Sequence, residues 1–236
     1  MLPGLLRVLR PPDFVSLMNA GVGFISIIAV AYGDFTMAAS LLLVAAIADG
    51  LDGLVARYTE GGPIGVDIDS LGDAVSFGLA PAFLAHYVAR DAELYLGSHD
   101  LGLVVSLVPI FYALAALVRL AAYNVMDADS AGFTGVPSTL AGVTIATVYL
   151  TGVADAVGVD AGIVLVGLSV VLAYLMLVQT PYPELDETHS VVMGAVVGLA
   201  ALFPDALGSL FPYVLLFFLV VFLVGGPRLY RQGSGG

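Results

Sequence analysis

From Asp49 to Asp73 the chain reads DGLDGLVARYTEGGPIGVDIDSLGD, and the fold turns on how that stretch is read. Four aspartates stand at Asp49, Asp52, Asp69 and Asp73, with Gly53, Ala56, Arg57 and Gly65 between them. On one side runs TMAASLLLVAAIA (36–48), on the other AVSFGLAPAFLAHYVA (74–89), both apolar enough for a lipid bilayer. Ionisable groups at membrane depth are costly, so their presence points to function.

Working outward, the whole chain has the same character. Of 236 residues 60% are hydrophobic and only 11% charged, and the mean hydropathy is +1.03. A soluble domain is nearer a quarter charged, so this is the composition of an integral membrane protein. There is no cysteine, which excludes disulfides, thiolate metal sites and thiol catalysis. His86, His99 and His189 lie far apart, without metal-ligand spacing. All seven basic residues are arginine, and the net charge is −12. That balance suits a protein of a high-salt environment and argues against nucleic acid as a partner. The opening MLPGLLRVLRPPDF is too short in its apolar part and too rich in proline for a cleaved signal. It reads as an amphipathic lead-in on the membrane surface, with Arg7 and Arg10 toward the headgroups.

A crossing helix needs about 20 mostly apolar residues. Runs between polar or Pro/Gly breaks give eight candidates, near 14–32, 36–57, 68–89, 102–124, 138–154, 161–178, 189–204 and 210–226. The expected fold is therefore an all-α, polytopic helix bundle forming one membrane-embedded domain. Glycines at 21, 23, 142, 194 and 198 allow helices to approach closely. With the N-terminus in the cytoplasm, eight crossings put Arg7, Arg10, Arg57, Arg119, Arg228 and Arg231 on the cytoplasmic side, and only Arg90 outside. That is the asymmetry of the positive-inside rule, and it puts both termini and the aspartates on the cytoplasmic side.

The second and third candidates are joined by the turn TEGGPIG, so their ends must be neighbours. Asp49, Asp52 and Ala56 share one helical face, and Asp69 and Asp73 share another. Facing each other, those surfaces collect four carboxylates that repel unless protonated or neutralised. An all-oxygen set favours Mg²⁺, Mn²⁺ or Ca²⁺ over Zn²⁺, and two divalent ions would balance four charges. Gly53 and Ala56 leave a bare face for a bulky ligand, and Arg57 can grip phosphate oxygens with two hydrogen bonds. A diphosphate ligand fits this set, because two metals can stabilise both oxygens of a displacement at phosphorus.

The spacing D-x2-D-G-x2-A-R-x7-G-x3-D-x3-D is matched in full, and it resembles the signature of the CDP-alcohol phosphatidyltransferases. Within that family the chain looks most like the phosphatidylserine synthases. The run DSLGDAVSFGLAP (69–81) resembles that branch, and no lysine follows the last aspartate as in glycerophosphate-using relatives. NAGVGF (19–24), RLAAYNV (119–125) and FTGVP (133–137) agree. The resemblance covers about residues 10–180. It implies a six-helix core, with two extra C-terminal helices over about 189–226, and a homodimer.

The resemblance also implies transfer of a phosphatidyl group from a CDP-lipid to the hydroxyl of L-serine, with release of CMP. In a halophilic archaeon the donor would be CDP-archaeol in place of CDP-diacylglycerol. Asp49, Asp52, Asp69 and Asp73 would hold two Mg²⁺ or Mn²⁺ ions, with Asp73 also the general base. Gly53, Ala56, Arg57 and Gly65 would line the CDP-lipid pocket, and Asn19 would reach the nucleotide. Asp67 would support the site from behind. Arg119, Ser76 and Asn124 would meet the serine acceptor. Inositol phosphate or glycerol phosphate are alternative acceptors for the same transfer. A membrane prenyltransferase also uses Asp–Mg²⁺ clusters, but on helices far apart in sequence. An ion transporter with buried carboxylates would show inverted repeats, and none is visible.

Overall fold

A computed structural model describes residues 4, 8–59, 62–91, 99–127, 133–182 and 187–233. Most of the lead-in over 1–10, Arg7 included, and the final glycine-rich tail lie outside the described residues. Helix α1 spans Pro11–Ala31 and α2 spans Phe35–Tyr58. Proline at the first helical position of α1 has no N–H to leave unpaired, and the Asp13 carboxylate accepts from the Arg10 N–H at 2.7 Å. Between the helices, Gly33 turns the chain with φ +79, and Asp34 caps α2 by accepting from the Met37 N–H at 3.0 Å. The two helices therefore run back to back as a hairpin.

The third crossing is continuous over 65–90 but not uniform. Helix α3 (Gly65–Asp73) passes through a π-helical turn (Ala74–Leu79) into α4 (Ala80–Asp91). Pro81 removes the N–H that an α-helical register would direct at the Phe77 carbonyl. The fully buried Tyr112 hydroxyl supplies a donor there instead, 2.9 Å from that oxygen. Exposed backbone cannot be left unpaired in hydrocarbon, so the SFGLAP run and Tyr112 form one structural unit.

Helix α5 (His99–Ala122) ends in a second π-helical turn, Tyr123–Asp127. A two-residue strand β1 (Phe133–Thr134) leads into α6 (Ser138–Thr151), the short α7 (Val153–Ala156) and α8 (Ala161–Leu177). Strand β2 (Pro181–Tyr182) pairs antiparallel with β1, Phe133 opposite Tyr182. Helices α9 (Glu187–Leu202) and α10 (Leu210–Gly233) complete the chain. Every predicted segment is a helix, with ends moved by a few residues. Five are long and apolar enough to cross a membrane, and 138–151, 161–177 and 189–202 are shorter.

The core is made by α2, α4, α5, α6 and α8, from residues such as Leu42, Leu84, Ala116, Ile145 and Leu172. Lipid offers no hydrophobic drive between helices, so close contact through small residues carries the packing. A Cβ on Gly23 would lie 2.7 Å from Ser76 Cα, and one on Gly142 would lie 3.1 Å from the Phe77 ring. The first contact brings α1 backbone to backbone with the π-helical turn, just above Asp73. The last two helices pack on this core, α9 on α2 and α10 on α6. Tyr182 fixes the second of these, stacking on Phe222 at 5.8 Å and donating to the Leu223 carbonyl at 3.2 Å.

Candidate active site

The facing helix ends meet as their periodicity requires. Carboxylate oxygens of Asp49, Asp69 and Asp73 all lie within 4.8 Å of one another. Asp52 stands beside Asp69 and completes the group of four. Asp52 and Asp73 are buried, while Asp49 and Asp69 are half-buried.

Neighbouring helices supply donors, one by one. Ser16 of α1 donates to Asp52 Oδ2 at 2.7 Å, and Asn19 Nδ2 donates to Asp73 Oδ1 at 3.0 Å. Thr139 of α6 donates to Asp49 Oδ2 at 3.2 Å. Asp69 Oδ1 is buried and has no hydrogen-bond partner among the described residues. Three neutral donors do not balance four carboxylates, and a buried acceptor without a donor is costly. Converging hard oxygens with one orphaned among them could hold a divalent cation. The residues fit the metal that the spacing implies.

Other expected site residues fall around this centre in different ways. A Cβ added at Gly53 would meet nothing within 4 Å among the described residues, so the face beside Asp52 is open. Gly65 lies against Asp13, and a Cβ there would come within 2.8 Å of Asp13 Oδ1. Ser76 is fully buried and donates to the Asn19 carbonyl at 2.9 Å, which ties the π-helical turn to α1. Asn124 donates to Ser70 Oγ at 2.7 Å, next to Asp69 in the chain. Arg119 is buried, with its guanidinium 5.1 Å from the centre of the Tyr123 ring. Asp67 lies at the start of α3, and the side chains of Ala56 and Arg57 are outside the described residues.

Ser16 and Thr139 escaped the sequence reading. Ser16 had a signal, since Asp13, Ser16 and Asn19 recur every three residues on one face of an otherwise apolar helix. Thr139 had none, being a single threonine 90 positions from the aspartate that it serves.

Residues 9–181 match the family model for CDP-alcohol phosphatidyltransferase, and the chain belongs to that family. The match starts just before α1 and ends in β2, so it takes in every helix that supplies an aspartate or a donor. Among curated relatives, the chain is 36% identical over 178 residues to an archaetidylserine synthase of Methanothermobacter thermautotrophicus, covering 74% of this chain and 70% of that one. It is 31% identical over 137 residues to a CDP-diacylglycerol–serine O-phosphatidyltransferase of Helicobacter pylori, covering 57% and 54%. An enzyme of the same name from Mycobacterium bovis is 44% identical over 93 residues, or 39% and 29% of the two chains. The last two alignments span about half or less of those relatives.

Proposed function

We propose that the protein transfers the phosphatidyl or archaetidyl group of a CDP-lipid to the hydroxyl of L-serine, releasing CMP. The observation that carries this reading is the four-carboxylate centre, in which Asp73 is buried and oriented by Asn19. Serine as the acceptor rests on the names of the relatives and on the SFGLAP run.

In this reading Asp49, Asp52, Asp69 and Asp73 hold two divalent ions, Mg²⁺ or Mn²⁺. Bound there, the ions would supply positive charge to the diphosphate and to the oxygens entering and leaving phosphorus. Asn19 donates to one oxygen of Asp73 and so orients the carboxylate, which takes the proton of the serine hydroxyl. The serine oxygen then bonds to the lipid-bearing phosphorus. The bond from that phosphorus to the bridging oxygen breaks, and CMP leaves with the electron pair. Arg57 grips phosphate oxygens, while Gly53 and Ala56 keep the approach clear. Arg119 faces the serine carboxylate, and its stacking on Tyr123 holds the guanidinium in one orientation. Asn124, through Ser70, steadies the helix face that carries Asp69. Ser76 and Gly65 contribute through α1, by fixing Asn19 and by seating Asp13. The site faces the cytoplasm, a reading the arginine distribution supports, and the working unit is a homodimer.

The test is release of CMP from CDP-archaeol and from CDP-diacylglycerol by the purified protein with Mn²⁺ or Mg²⁺. Serine, inositol phosphate and glycerol phosphate are offered in separate reactions. Serine-dependent CMP is the expected result, and CMP release with only a phosphorylated alcohol overturns the choice of acceptor.

A further inference from the structure

The π-helical turn over 74–79 divides one rod into two stretches with different neighbours. Below it, α3 packs on α1 and carries Asp69 and Asp73 toward Asp49. Above it, α4 packs on α8 and α5. A π-helical turn takes one residue more than an α-helical turn, and one residue of α-helix turns the chain by about 100°. The extra residue therefore offsets α3 from α4 by about that angle. On a helix about 10 Å across, the offset moves a side-chain tip by about 8 Å. The oxygens of Asp49, Asp69 and Asp73 lie within 4.8 Å of one another, so a uniform α-helix would take the last two out of reach.

Two features hold the extra residue where it is. Pro81 has no N–H, so an α-helical register would leave the Phe77 carbonyl without a donor inside hydrocarbon. Tyr112 of α5 is fully buried and donates to that carbonyl at 2.9 Å. Small residues bring α5 that close, since a Cβ on Gly78 would meet Ala116 Cβ at 3.5 Å. Helix α5 continues into a second π-helical turn, from which Asn124 donates to Ser70 Oγ at 2.7 Å. Asp73 lies between these two braces. The Asn19 that orients it is tied to the same turn, its carbonyl accepting from Ser76 at 2.9 Å. Proline excludes one register, and tyrosine satisfies the other.

We propose that Tyr112 is a positioning residue for the transfer. By holding the Phe77 carbonyl it keeps the extra residue in place, and the extra residue aims Asp69 and Asp73 at Asp49. The proposal rests on the metal-centre reading above and adds what sets the geometry of that centre. Tyr112 acts through backbone, at a carbonyl four residues beyond Asp73.

The test uses the full-length protein purified in detergent, with Y112F, P81A and the double variant P81A/Y112F. Three quantities are measured: the unfolding temperature in chelator, the Mn²⁺ concentration that half-maximally raises it, and kcat against KM for serine in CMP release. Y112F removes the donor, so the protein should unfold at lower temperature. It should also need about ten-fold more Mn²⁺ and lose about ten-fold in kcat, with KM little changed. P81A keeps Tyr112 and should stay within about three-fold of the wild type in both. The double variant gives the Phe77 carbonyl an N–H in an α-helical register. Its stability in chelator should return toward that of the wild type, while Mn²⁺ no longer stabilises it and kcat falls by about 10²-fold or more.

A tyrosine that served stability alone would make activity follow stability. Activity that returns with stability in the double variant therefore overturns the proposal. So does Y112F with wild-type Mn²⁺ requirement and kcat. If Y112F alone does not fold, the double variant still decides; a double variant that does not fold also overturns the proposal, because the restored N–H should have repaired the carbonyl. If Mn²⁺ stabilises the wild type but no CMP is released from CDP-lipid, the transfer reading fails, and Mn²⁺ stabilisation of the variants still decides the role of Tyr112.

Discussion

The two halves of α2 belong to one continuous helix and do opposite work. In the first half Ala38, Ala39, Leu42, Leu43 and Ala45 are all fully buried. In the second half Gly50 and Gly53 meet nothing within 4 Å among the described residues, and Asp49 and Asp52 each accept from one neutral hydroxyl, Thr139 and Ser16. A closed surface contributes stability. An open one, lined with charge that the protein does not balance, contributes affinity for what will balance it. Function therefore lies where the helix is least complete as a packing element.

This contrast can be broken in several places. Removing divalent metal with a chelator should reduce CMP release to background while the fold persists, and adding Mn²⁺ or Mg²⁺ should restore it. Unaffected turnover in excess chelator would end the metal reading. Asp73→Asn should lower the turnover rate by about 10³-fold at unchanged protein yield, since a positioned base contributes about 10²–10⁴-fold. Near-wild-type rates would show that the proton goes elsewhere.

A change in the closed half should have the reverse signature. Leu42→Ala leaves a cavity among fully buried side chains and should cost about 2–3 kcal/mol of stability. Heat or denaturant unfolding in detergent measures that cost, while KM and kcat of the folded fraction stay as they were. A kinetic defect without a stability defect would erase the distinction between the halves.

Smaller effects test the donors around the carboxylates. Asn19→Ala should lower kcat by about ten-fold with little change in KM for serine, because it frees Asp73 to rotate. A KM effect alone would make Asn19 a substrate contact and not a positioning residue. Thr139→Val keeps the shape and removes one long hydrogen bond to Asp49, so a loss of about three-fold is expected. A loss as large as that of Asp73→Asn would mean that Asp49 depends on α6 far more than a 3.2 Å contact suggests.

Much of this molecule was legible before any coordinates. The eight helices follow from the length of the apolar runs, because a bilayer sets that length. The carboxylate centre follows from offsets of three and four residues on two segments joined by a short turn. The roles expected of Ser76 and Gly65 were less legible. Their immediate partners, the Asn19 carbonyl and the Asp13 carboxylate, lie on α1, and no periodicity within residues 65–76 points to it.

The sequence alone therefore determined the membrane bundle, the cluster of Asp49, Asp52, Asp69 and Asp73, and the chemistry such a cluster attracts. Each is a consequence of one chain segment's own period and polarity. Only the tertiary structure decided that Asn19 holds Asp73, that Thr139 reaches Asp49 and that Tyr112 caps the Phe77 carbonyl. Those pairings depend on how each helix is rotated and how far it slides against its neighbour. That is settled by contacts such as Gly23 on Ser76, where the absence of a single Cβ lets two backbones meet.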